Sequence, residues 1–165
     1  MTKRRLLIVW HSRTGASEAL ARAAAKGAAR ESAIETVRLP AATVGPDELL
    51  AAQGFIFAAP ENLATLSGEM KAFFDRSYYP ALDRLAGRPY AAIISAGSDG
   101  AGAARQIARI VAGWRLKSVA EPLIVNTNAQ TPEEILALKH VPPGPLARAS
   151  DLGQTMAAGL AMGVF

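Results

Sequence analysis

The run Leu6-Leu7-Ile8-Val9-Trp10 constrains this chain most, because it is uniformly apolar, shorter than an ordinary helix, and starts directly after Arg4-Arg5. A half-exposed strand alternates polar and apolar residues, whereas an unbroken apolar run describes a strand covered on both faces, as in the middle of a parallel sheet. A parallel strand needs a crossover, and the next segment supplies one. Ser17 to about Glu31 is alanine-rich, with Leu20, Ala24 and Ala28 on one stripe, which predicts a helix laid closely on that sheet.

The same alternation continues along the chain. Ile34 to Leu39 predicts a second strand ending at Pro40, and a short helix is expected around Asp47 to Ala52. Gly54 to Ala59 predicts a third strand, stopped by Pro60. Ser67 is placed to cap a helix with Met70, Phe73 and Phe74 on one face, and Arg88-Pro89 separates it from a fourth strand, Tyr90 to Ser95. Ile107, Ile110, Val111 and Trp114 repeat at helical spacing, with Trp114 in the core. Val119 to Val125 predicts a fifth strand, Pro122 marking a bulge or an edge, and a final helix is expected over about Leu146 to Leu160. Asn126 to Pro145 reads as the least regular stretch. Together these give one domain over residues 1–165, a doubly wound α/β fold with a five-stranded parallel sheet and helices on both faces.

Composition narrows the chemistry. With no cysteine among its 165 residues, the chain has no thiol nucleophile, disulfide or thiolate metal site, and His11 and His140 offer little to a transition metal. A net charge of +4 raises the question of nucleic acid, but the basic residues are dispersed, with no Lys/Arg block and no aromatic platform, so no nucleic-acid partner is expected. No apolar run is long enough for a membrane span, and a cytoplasmic protein without membrane insertion is expected.

Doubly wound sheets bind ligands at the carboxyl ends of their strands, where the strand order reverses. That rule selects the loops Ser12 to Ser17, Pro60 to Ser67 and Ala96 to Gly102. The first reads Ser12-Arg13-Thr14-Gly15-Ala16-Ser17, three hydroxyls and a permissive glycine at a helix amino terminus. Free amides and the helix dipole attract an anion there, hydroxyls donate to its oxygens, and Gly15 lets the backbone curl around it. The Gly-x-x-x-x-Gly-Lys-Ser/Thr pattern of phosphate-transferring proteins is missing, so the loop suits a phosphate that is held rather than transferred.

In these features the chain resembles the flavodoxin-like FMN-binding proteins, including the NAD(P)H-dependent FMN and quinone reductases. The resemblance is carried by Ile8 to Gly15, by Phe57-Ala58-Ala59-Pro60, by Gly68-Glu69-Met70-Lys71-Ala72-Phe73-Phe74-Asp75-Arg76, and by Ser95 to Gly100. It implies a flavodoxin-like fold with FMN as cofactor and NAD(P)H as a possible co-substrate. It also implies FMN phosphate contacts at Ser12, Arg13, Thr14, Gly15, Ala16 and Ser17. Pro60, Glu61, Asn62, Leu63 and Ala64 would meet the isoalloxazine edge, and Ser95, Ala96, Gly97, Ser98 and Asp99 would make further flavin contacts. Many relatives place an aromatic ring and a glycine in the second loop, where this chain has Leu63 and Ala64. The electron-carrier members are acidic, so a net charge of +4 points instead to an oxidoreductase acting on a small electron acceptor such as a quinone or free flavin.

The remaining residues read more simply. His11 is expected to be partly buried and bonded to backbone rather than to shuttle protons. Glu61 is open between a flavin or substrate contact and a solvated loop carboxylate. Asp99 resembles a turn residue, and Lys71 and Arg76 read as solvated helix positions. Tyr78-Tyr79-Pro80 at the rim is a possible subunit contact in a homo-oligomer.

Overall fold

The computed structural model describes residues 2–165. In chain order its elements are β1 (Arg4–Trp10), α1 (Ala16–Ala28), β2 (Ile34–Pro40), a 3-10 turn (Ala41–Thr43), α2 (Pro46–Ala51), β3 (Gly54–Asn62), β4 (Thr65–Leu66) and α3 (Gly68–Ala81). Then follow β5 (Pro89–Ala96), α4 (Ala101–Gly113), β6 (Lys117–Ser118), β7 (Leu123–Asn126), α5 (Pro132–Leu136) and α6 (Pro143–Met162). The sheet runs β2-β1-β3-β5-β6, with β7 also on β5 and β4 folded back on β3. Every pairing is parallel except β3 with β4. The chain moves outward from β1 to β2 and then returns to the other side of β1, so the order reverses between β1 and β3. This is the doubly wound, flavodoxin-like α/β fold expected from the alternation of strands and helices.

Leu6, Leu7, Ile8 and Val9 are fully buried, as an all-apolar central strand requires. Alternate residues serve different layers. Leu7 and Val9 face an aromatic core with Phe55, Phe57, Phe73, Phe74 and Trp114, under α2, α3 and α4. Leu6 and Ile8 face an aliphatic core rich in alanine under α1 and α6. There the two helices touch along glycines: a Cβ on Gly27 would fall 1.9 Å from Ser150 O, and one on Gly153 would fall 1.9 Å from Ala24 O.

Several elements differ from the sequence reading. α1 ends at Ala28, short of Glu31. β3 does not stop at Pro60 but runs on to Asn62. His11 N–H donates to Ala58 O, so Ala58 and, two residues on, Pro60 turn their backbone groups toward β1, whose ladder with β3 has already ended. The missing N–H of Pro60 therefore breaks nothing. The fifth strand is not continuous over Val119 to Val125: β6 pairs at Lys117–Ser118, the chain leaves the sheet through Pro122, and β7 rejoins β5 at Leu123–Asn126. The segment expected to be irregular contains α5, and α6 begins at Pro143, before Leu146.

Candidate functional site

A cavity of about 320 Å³ opens at the carboxyl ends of β1, β3 and β5, beside the point where the strand order reverses. The three loops selected by sequence meet there. Arg13, Thr14 and Ala16 contribute from the first, Pro60, Glu61, Asn62, Leu63 and Ala64 from the second, and Ser95, Ala96, Gly97 and Ser98 from the third. Ser12, Gly15, Ser17 and Asp99 lie off its wall.

Each of those four has another place in the structure. Ser12 Oγ accepts the Gly15 N–H at 2.9 Å and so sets the turn of the first loop. Gly15, at φ 102°, ψ −18°, is the residue from which α1 starts, and no side chain caps that helix. Ser17 is 1% exposed, and its hydroxyl bonds Ser95 Oγ at 2.7 Å, tying α1 to β5 beneath the cavity. Asp99 Oδ1 accepts from Ala101 N–H, a local turn contact.

The second loop is a tight β-hairpin. Asn62 pairs with Thr65, leaving Leu63 and Ala64 as its two turn residues at φ 52° and 64°. This is the left-handed pair that twist-matched two-residue hairpins demand and that Asn-Gly ordinarily supplies. Leu63 stands 98% exposed at the tip. Behind it, a Cβ on Gly102 would fall 2.2 Å from Ala64 O, so the hairpin rests on the first turn of α4.

Glu61 is neither a free loop carboxylate nor turned wholly to the cavity. Its Oε1 accepts the Gly100 N–H at 2.9 Å and its Oε2 accepts the Ala103 N–H at 3.0 Å, so it caps α4 from another strand. His11 also departs from its reading. Its partners are side chains: Nδ1 lies 2.9 Å from Ser67 Oγ and Nε2 lies 3.7 Å from Glu69 Oε2. Ser67 occupies the cap position of α3 but makes no side-chain cap bond. Burial holds the His11 imidazole below its ordinary value of 6.5, with Glu69 opposing. Arg76 is exposed on α3 and off the cavity wall, as expected, though its guanidinium also donates to Val44 O and Ala41 O.

Sequence reasoning missed Thr127, Ala129, Gln130, Ile135 and Lys139, which complete the wall. They belong to the strap between β7 and α6. Thr127 N–H donates to Ala96 O at 2.8 Å, and a Cβ on Gly97 would approach Ala129 O to 2.8 Å. A capping box announces α5, since Thr131 and Glu134 each bond the other's backbone N–H, with Pro132 at the first helical position.

The family described as NADPH-dependent FMN reductase matches residues 7–130, which include all three loops. The chain belongs to the NADPH-dependent FMN reductase family. Membership implies FMN binding, and NADPH as co-substrate fits the family's description. No curated protein matches the chain. Among solved structures it is similar to a flavodoxin, WrbA-like protein from Agrobacterium tumefaciens, with a TM-score of 0.76, 16% identity, and coverage of 97% of this chain and 99% of that one. A flavodoxin from the domain Archaea gives 0.74 at 19% identity, covering 94% of this chain and 98% of that one. A mutant flavodoxin from Pseudomonas aeruginosa gives 0.73 at 20% identity, with coverage of 94% and 98%. At these identities the likeness is one of fold.

The residues present fit the flavin phosphate. The start of α1 offers uncapped amides beside the Thr14 hydroxyl, a donor set with no carboxylate of its own in the loop. Among the described residues, no helix is long and apolar enough to cross a membrane.

Proposed function

We propose that this protein is a cytoplasmic oxidoreductase that binds FMN and uses NAD(P)H to reduce a quinone or a free flavin. The observation that carries this reading is the open amino terminus of α1 at the cavity, beside the hydroxyls of the first loop. When bound, FMN supplies the hydride chemistry. The chain's part is to bind and orient. Ser12, Arg13, Thr14, Gly15, Ala16 and Ser17 would form the phosphate loop: Ser12 shapes its turn, Thr14 and the α1 amides donate, and Ser17 anchors the helix through Ser95.

Pro60, Glu61, Asn62, Leu63 and Ala64 would carry the ring edge, while Ser95, Ala96, Gly97 and Ser98 would form the opposite wall, with Asp99 setting the turn behind them. Glu61 acts here as a positioning residue, because its two bonds to α4 fix the second loop against the third. No aromatic side chain lines the cavity, which leaves room over the ring for a nicotinamide or an acceptor. Tyr79, 78% exposed, offers a contact in a homo-oligomer.

The test is reconstitution with FMN, desalting, and an assay of NADPH and NADH oxidation with a quinone. A yellow protein that oxidises a nicotinamide and passes the electrons on is expected. Retained FMN without nicotinamide oxidation would make the chain an electron carrier, and a colourless product would remove the reading altogether.

A further inference from the structure

The first loop supplies hydroxyls, amides and the exposed Arg13, and a second, more buried positive charge reaches it from far along the chain. Lys139 lies on the strap, where its backbone N–H donates to Thr14 O at 2.8 Å. Next to it, Leu138 Cδ1 lies 3.2 Å from where a Cβ on Gly15 would stand, so the strap is seated directly on the loop. With its backbone pinned there, Lys139 brings its Nζ to 3.4 Å from Thr14 Oγ1, on the cavity wall.

The ammonium is held in advance. It donates to Glu134 O at 2.7 Å, Ile135 O at 2.8 Å and Ala137 O at 2.6 Å. These carbonyls lie at and just past the end of α5, where unsatisfied C=O groups attract a cation. A ligand therefore meets a lysine that is already ordered and need not fix a flexible four-carbon stem. Among the described residues, no carboxylate forms an ion pair with it. Glu134, the nearest acidic residue in sequence, spends its carboxylate on the Gln130 and Thr131 amides. A half-buried ammonium without a counter-ion, at the edge of a hydroxyl-lined helix terminus, calls for an anion.

We propose that Lys139 is the counter-charge of the cofactor phosphate and sets the preference of the site for FMN over riboflavin. The inference rests on the FMN reading given above. A phosphate monoester carries about −1.5 to −2 charges at neutral pH. Backbone amides and hydroxyls share that charge without neutralising it, whereas the Lys139 ammonium, its three N–H groups held by the α5 carbonyls, adds a full opposite charge beside the loop and donates directly only where the phosphate displaces one of those carbonyls. Arg13 also reaches the cavity but is exposed, and so is more fully screened.

The experiment titrates FMN and riboflavin into wild type, Lys139→Met and Lys139→Arg, following flavin fluorescence, and repeats each titration at raised salt. Lys139→Met is expected to raise the Kd for FMN about 10- to 100-fold while changing that for riboflavin by less than about twofold. It should also flatten the salt dependence of FMN binding. Lys139→Arg, which keeps the charge, should recover most of the FMN preference. Equal weakening of both flavins would mean that the lysine only folds the strap, and unchanged FMN affinity would mean that it does not meet the phosphate; either overturns the proposal. If wild type binds neither flavin, the FMN reading fails, and inorganic phosphate decides this one. Thermal stabilisation by phosphate in wild type but not in Lys139→Met would uphold the anion role, and an equal response in both would overturn it.

Discussion

Two helices begin beside the same cavity with nearly the same backbone, and they are treated in opposite ways. α1 follows Gly15 at φ 102°, ψ −18°, and α4 follows Gly100 at φ 99°, ψ −16°. Each presents free amides and the positive end of a helix dipole. At α4 the Gly100 and Ala103 amides are both taken by Glu61, whereas at α1 Ser12 takes only the Gly15 amide and no carboxylate caps the helix. The protein thus fills one of its two anion-attracting ends with its own carboxylate and leaves the other open. Under the proposed function, that difference gives the cavity a single phosphate end and so fixes which way round an FMN lies.

The sharpest way to break the comparison is to add a side chain at each starting glycine. Gly15→Val forces a β-branched residue to positive φ, costs about 1–3 kcal/mol of stability, and should abolish measurable FMN binding. Gly100→Val should destabilise at least as much, because its Cβ would fall 2.6 Å from Ile124 Cγ2. Its folded fraction, however, should keep FMN affinity. Isothermal titration alongside denaturant unfolding separates the two, and equal loss of FMN by both variants would erase the distinction.

Removing a donor rather than the turn has a smaller effect. Thr14→Val should weaken FMN by about 1–3 kcal/mol while leaving riboflavin nearly unchanged. Glu61→Ala uncovers the α4 amides and should lower stability by about 0.5–2 kcal/mol in denaturant, with a lesser effect on FMN. If Glu61→Ala instead removes FMN binding without destabilising the protein, its carboxylate serves the flavin and not the helix.

The smallest expected effect is the pH response of His11, just behind the first loop. Its imidazole titrates below 6.5 in the folded protein. As pH falls through that value, the unfolded chain takes up a proton before the folded protein does, so stability declines until the folded imidazole also protonates. Above 6.5 this contribution is constant. His11→Asn should flatten the decline in unfolding midpoint across about pH 5 to 7, and an unchanged profile would assign it to other groups.

The site was legible in the sequence where its signals are local. An apolar run, a proline stop or a hydroxyl-glycine loop states its own conformation, so β1, β3, β5 and the three loops they feed are recoverable from residue order. The α1 side of the comparison was readable for that reason, and the α4 side was not. Glu61 acts on amides 39 and 42 residues away, and nothing near it announces them. Leu63-Ala64 was opaque for the opposite reason: its hairpin lacks the Asn-Gly that marks such turns, and the surrounding structure imposes the left-handed backbone. The strap lies between these cases. Thr131-Pro132-Glu133-Glu134 is a local helix start, hidden by reading the whole of Asn126 to Pro145 as the least regular stretch, but the 125-residue reach of Lys139 to Thr14 has no local signal.

The glycine contacts between α1 and α6 also govern the order in which this protein can be made. α1 emerges early in synthesis, yet the helix that packs on Gly27 and Ala24 spans Pro143–Met162. Until α6 has emerged, α1 has one flank uncovered, and closing so long a loop is a slow step. The open helix end that would take the phosphate is therefore expected to become rigid only once α6 has been made and has packed on it. Pulse-labelled hydrogen exchange during refolding should show the amides of α1 and α6 gaining protection together, as one late cooperative unit.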